Sequence, residues 1–137
     1  MPARRFVSAC VALFTIAVVW NGLVHGFLLR ELDAAVAHLR RPAADGLLWL
    51  SLPLTAGVVC LFALGYVRTV RTGSVREGLA YGAAFAVLAG LLVDLDQYLL
   101  YPIPGRVALA WFASGLVEFV LYGAVASRLL RPAAKGK

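Results

Sequence analysis

The sequence predicts an all-α integral membrane protein: a four-helix bundle with its N-terminus and C-terminus both on the cytoplasmic side (N-in/C-in). Three observations predict it. Hydrophobic residues make up 62% of the 137 and charged residues 15%, where soluble domains are nearer half and a quarter. The apolar residues are gathered into four runs of 21 to 24 residues. All 13 Lys and Arg fall outside those runs. A soluble sphere of this size could not hide so much apolar surface. An ordinary cytosolic enzyme, a disordered tail and a disulfide scaffold are thereby excluded. The length suits one transmembrane domain, residues 1–137.

The first span is Phe6–Leu29, without a charge. Val7-Ser8-Ala9-Cys10 looks like a lipoprotein cleavage box, but only Phe6 and Val7 separate Arg5 from Ser8. That is too short for a signal-peptide core, and the apolar run continues too far beyond it. The segment therefore reads as a retained helix. Arg30-Glu31-Leu32-Asp33 ends the span and Arg41-Pro42 begins the turn to the next. Between them Leu32, Ala35, Val36 and Leu39 recur at helical spacing, which predicts an interfacial helix over 32–39.

The second span is Gly46–Val67, with a kink expected at Pro53. The third is Gly78–Tyr101, with Asp94 and Asp96 near its end, and Pro102-Ile103-Pro104-Gly105 stops it sharply. The fourth is Val107–Ser127, with Glu118 in its middle. Each run can cross ~30 Å of hydrocarbon as a helix. Helices are required because lipid offers no partner for loose backbone groups.

Nine of the 13 Lys and Arg lie in the N-terminal stretch, the second loop and the tail; four lie in the other two loops. The positive-inside rule then places both termini in the cytoplasm. Trp49, Trp111, Tyr98 and Tyr101 fall at the outer interface, where an aromatic belt is expected. The net charge of +6 fits anionic headgroups rather than nucleic acid, because the bases sit in short loops between spans. Cys10 and Cys60 form no CxxC and read as small buried hydrophobes.

Small residues mark where membrane helices approach one another. Gly82, Ala86 and Gly90 form such a stripe, which Asp94 and Tyr98 continue at the same interval. Gly22 and Gly26 form a second close-approach pair, beside Asn21 and His25. Ser114, Glu118 and Tyr122 make a polar stripe on the fourth span. A charge in hydrocarbon costs on the order of 3 kcal/mol, so these stripes are expected to turn inward. Counted from the outer ends, His25 lies ~6 Å deep, Asp94 ~10 Å, Asn21 ~12 Å and Glu118 ~16 Å.

The candidate site is therefore a polar cluster of Asn21, His25, Asp94, Gln97, Tyr98, Ser114, Glu118 and Tyr122. One reading is structural. Asp94 pairs with His25 or accepts from Asn21, Asp96 meets Arg106 or Arg30, and Glu118 bonds Ser114 or Tyr122. The other is a ligand or proton site open to the outer side. A metal site would draw on His25, Asp94 and Glu118, but no HxxxH, ExxH or cysteine pair supports one. No haem or other cofactor is expected. No GxSxG or phosphate-binding loop is present, so the chain leans away from catalysis.

Two stretches carry a resemblance. One is Trp20-Asn21-Gly22-Leu23-Val24-His25-Gly26-Phe27-Leu28-Leu29. The other runs from Gln97-Tyr98 and Tyr101-Pro102-Ile103-Pro104 through Ala108-Leu109-Ala110-Trp111-Phe112 to Gly115-Leu116-Val117-Glu118. With the hydropathy, these resemble a group of small four-span bacterial integral membrane proteins of unknown function. The resemblance implies a four-helix membrane protein with no established activity and supplies no catalytic residue; the expected location is a bacterial inner membrane. The expected function is a membrane-embedded binding or accessory protein. Its partners would be the lipid bilayer and a second copy or a larger membrane complex. The alternatives are a proton-coupled or small-ligand transporter using Asp94, Glu118 and His25, and a metal-dependent membrane enzyme.

Overall fold

The computed structural model describes residues 3–41 and 46–130. Pro42 of the expected turn and the tail cations Arg131, Lys135 and Lys137 lie outside the described residues. The described residues are 88% helical, and no strand occurs among them. Helix α1 is Ala3–Leu23, extended by a π turn over Val24–Leu28. Short α2 is Arg30–Ala35, followed by a 3-10 turn at Ala37–Leu39. Helix α3 is Ser51–Thr69 and α4 is Val75–Gly90. A second π turn, Leu91–Leu95, leads into α5, Asp96–Leu100. Helix α6 is Gly105–Leu129.

Four helical stretches are long and apolar enough to cross a membrane: Ala3–Leu28, Ser51–Thr69, Val75–Leu100 and Gly105–Leu129. Exposed Leu61, Leu92 and Leu109 stud the exterior, as lipid contact demands. This is the pattern of a multi-pass membrane protein. Both described chain ends lie at one end of the bundle, and α2 caps the other.

Glycines decide the closest packing. Helix α4 packs tightly on α6, and its buried residues Gly78, Gly82, Ala86 and Gly90 lie on that contact. A Cβ at Gly78 would overlap the carbonyl of Gly123, and one at Gly82 the carbonyl of Phe119. The two backbones thus touch directly, which only a hydrogen side chain allows. Helix α1 bridges α6 and α3. Gly22 and Gly26 have nothing within 4 Å of where a Cβ would stand, so they are not a close-approach pair. They lie on exposed surface, and the contacts of α1 run instead through Ala9, Leu13 and Ala17.

Aromatic rings fill the half of the bundle nearer the termini. Phe62 packs on Tyr81, Phe85, Phe119 and Tyr122 at centroid distances of 4.9 to 5.9 Å. The Tyr81 hydroxyl donates to the Phe62 carbonyl at 3.0 Å, tying α4 to α3. Cys10 is half-buried against this core with Cys60 beside it, and Cys60 is exposed rather than buried.

The α3–α4 turn is set by local hydrogen bonds. Ser74 caps α4 by accepting from the Glu77 amide at 3.2 Å. The Glu77 carboxylate reaches back to Thr72 N at 2.8 Å and Gly73 N at 3.1 Å. Gly73 supplies the positive φ, 66°, that lets the chain reverse. Pro53 does not kink its span. It lies in the first turn of α3, where a missing N–H removes no helix bond.

Candidate functional site

The two π turns stand at the α2 end, and each carries one candidate residue: His25 in the first, Asp94 in the second. In the first, the Leu29 amide donates to the Val24 carbonyl at 2.7 Å, a five-residue step. Such a turn holds one extra residue and widens the helix. It also rotates the helix beyond it by about 100°. Asp94 still faces inward, lining with Ala86 and Gly90 a cavity between the helices. Tyr98, expected on the same inward line, is instead exposed and stands against Gly105.

The cavity holds about 410 Å³. Asn21, His25, Asp94, Gln97, Ser114 and Glu118 all line it, brought together from α1, the two π turns, α5 and α6. Ala86, Gly90 and Gly115 leave room for it, and Phe119 is part of its lining. Tyr122 is buried on the far side of Glu118.

Glu118 is held at one oxygen. The Tyr122 hydroxyl donates to Oε1 at 2.5 Å, and Asn21 Nδ2 donates to the same atom at 3.0 Å. Asn21 also donates to the Ala17 carbonyl at 2.9 Å, so its amide bridges its own helix to α6. Ser114 does not meet Glu118; it accepts from Trp20 Nε1 at 3.1 Å. Asp94 has no hydrogen-bond partner among the described residues, and the His25 ring lines the same cavity.

His25 pairs directly with neither Asp94 nor Glu118. Its Nδ1 stands 2.7 Å from Oδ2 of Asp33, in α2. The other oxygen of Asp33 accepts from Trp111 Nε1 at 2.9 Å and lies 3.4 Å from the Arg40 guanidinium. Asp33 is only 5% exposed. Among the described residues, the ion pairs converge on it, and Asp96 forms none with Arg30 or Arg106. Trp111 is consequently part of this network rather than a free belt residue, whereas Trp49, Tyr98 and Tyr101 are exposed.

Sequence reasoning missed Asp33, because Arg30-Glu31-Leu32-Asp33 reads as the charged end of a span. The signal was available one step further on. Val36 is buried against Ile103 and Val107, and Asp33 lies one helical turn before it on the same face. Among the described residues, no group of three or more His, Cys, Asp or Glu stands close enough to hold a metal ion. His25, Asp94 and Glu118 share a cavity wall without forming a ligand set.

Comparison with protein-family models, curated proteins and solved structures finds no match to this chain.

Proposed function

We propose that this protein is a small membrane-embedded binding protein. It acts alone or as an accessory subunit of a larger membrane complex, and takes a small cationic ligand into the polar cavity of its α2 half. One observation carries this reading. Asp94 faces the cavity with no hydrogen-bond partner among the described residues, while Glu118 beside it is engaged by Tyr122 and Asn21. An uncompensated carboxylate within a membrane bundle is costly, and a bound cation offsets that cost. The distribution of Lys and Arg supports cytoplasmic placement of both termini, so that in a bacterial inner membrane the cavity faces outward.

Binding fits better than passage. Phe119 in the cavity lining packs with Phe62, Phe85 and Tyr122, a ring cluster that fills the bundle toward the described chain ends. A transporter using Asp94, Glu118 and His25 would need a path past these rings, and the glycine contact of α4 and α6 opposes one between those two helices.

The test is thermal unfolding of the protein in nanodiscs with ethylammonium as probe. A ligand that binds only the folded state raises Tm saturably. The expected result is a saturable rise for the native chain and none for Asp94→Asn. An identical response from both proteins contradicts the reading.

A further inference from the structure

Asp94 lines two spaces. Besides the polar cavity it borders a groove of about 370 Å³ on the outer side of the second π turn. The groove walls are apolar: Leu91, Leu95, Ala108, Leu109 and Phe112, with the Tyr98 ring. Leu91, Leu95 and Leu109 are exposed on the bundle exterior, on stretches apolar enough to meet lipid. A solute moving from the acyl chains into this groove would thus meet a carboxylate at its end. Among the described residues, no other charged side chain borders the groove.

We propose that the ligand is an amphiphilic monocation, one ammonium group on an apolar chain, with its head at Asp94 and its tail in the groove. This rests on the binding reading above and names its ligand class. The charge inventory selects the head. The other carboxylate that lines the cavity, Glu118, is engaged by Tyr122 and Asn21, and Asp33 behind His25 is engaged by His25, Trp111 and Arg40. A single unengaged carboxylate at the cavity matches one positive charge, and a dication would lack its second partner. An anionic amphiphile would meet Asp94 as a like charge. A neutral one would leave it uncompensated. The groove selects the tail, because its lining offers dispersion contacts and no hydrogen-bonding side chain among the described residues apart from the Tyr98 hydroxyl and Asp94 itself.

The experiment uses the full chain in zwitterionic nanodiscs. Saturable binding of labelled dodecylammonium is counted above that of empty discs, with dodecanol and ethylammonium as competitors. The expected result is one site per chain, with each competitor weaker by more than about tenfold, since one lacks the charge and the other the buried chain. Leu109→Trp, which fills the groove from its exposed edge, should bring dodecylammonium down toward ethylammonium while the ethylammonium-dependent rise in Tm persists. Leu91→Trp serves the same purpose should the first variant not purify as a folded protein. Equal affinity for dodecylammonium and ethylammonium would overturn the amphiphile proposal and leave the cavity reading standing. No saturable binding of either probe to folded protein would overturn both.

Discussion

His25 Nδ1 and Asp33 Oδ2 stand 2.7 Å apart, joining the end of the first membrane-crossing stretch to the short helix that caps the bundle. With Nδ1 occupied by Asp33, the orientation of the imidazole is fixed from behind while its ring lines the cavity. A carboxylate holding a histidine in this way sets which ring edge is presented, much as outer partners orient metal-binding histidines.

Removing that carboxylate should loosen the whole cap. Asp33→Ala leaves Trp111 Nε1 and the imidazole without their shared acceptor, and losing a hydrogen bond of a partly buried group costs about 0.5–1.5 kcal/mol. The expected outcome is a lower unfolding midpoint in detergent. A double-mutant cycle with His25→Ala should return a coupling of about 1 kcal/mol. Additive losses would mean that the pair does not interact.

Glu118 separates charge from hydrogen bonding. Glu118→Gln keeps an oxygen to accept from Tyr122 and Asn21 and should fold with nearly native stability. Glu118→Leu strands the Tyr122 hydroxyl in the bundle and should lose about 1–3 kcal/mol. Thermal unfolding of the two variants side by side distinguishes them, and equal stability would contradict the assigned bonds.

Two glycines should respond in opposite directions. Gly123→Ala forces a methyl against the Gly78 carbonyl and should cost about 1–3 kcal/mol or part the helices. Gly22→Ala meets nothing within 4 Å and should gain about 0.5–1 kcal/mol from helix propensity. Unfolding curves for both variants check this. A tolerated Gly123→Ala would deny the direct backbone contact of α4 and α6.

The cap of α4 offers a local prediction outside the bundle. Ser74→Ala removes the acceptor for the Glu77 amide and should cost about 1 kcal/mol. Amide exchange at Glu77 should quicken while the core of α4 stays protected. Unchanged exchange would show that the hydroxyl does not cap the helix.

Much of the fold was legible because lipid imposes it. Long uncharged runs must be helices, and the stripe Gly82, Ala86, Gly90 marked the face that meets α6. What escaped the sequence depends on register. A π turn adds one residue without any signature in composition, so Tyr98, beyond it, left the line that simple four-residue counting gave it, while Asp94 still lines the cavity with Ala86 and Gly90. Gly22 and Gly26 resembled the stripe of the third span, yet small residues permit close approach without requiring it. Asp33 was hidden by its neighbours, since a charge beside Arg30 and Glu31 reads as solvated. The ring cluster was present as Phe62 and Tyr66, Tyr81 and Phe85, and Phe119 and Tyr122, pairs three or four apart that face one another in space.

The claim on which the rest depends is that water-soluble molecules reach Asp94 through the polar cavity between the helices. Cysteine labelling tests it directly, on a chain carrying Cys10→Ser and Cys60→Ser. Gly115 lines the cavity and has nothing within 4 Å of its Cβ position, so Gly115→Cys fits without distortion. Val117, two residues along the same helix, is exposed on the bundle exterior. A membrane-impermeant thiol reagent applied to the α2 side should modify Gly115→Cys, with ethylammonium protecting it, and should leave Val117→Cys unmodified. Protection of Gly115→Cys to the same degree as Val117→Cys would contradict the account.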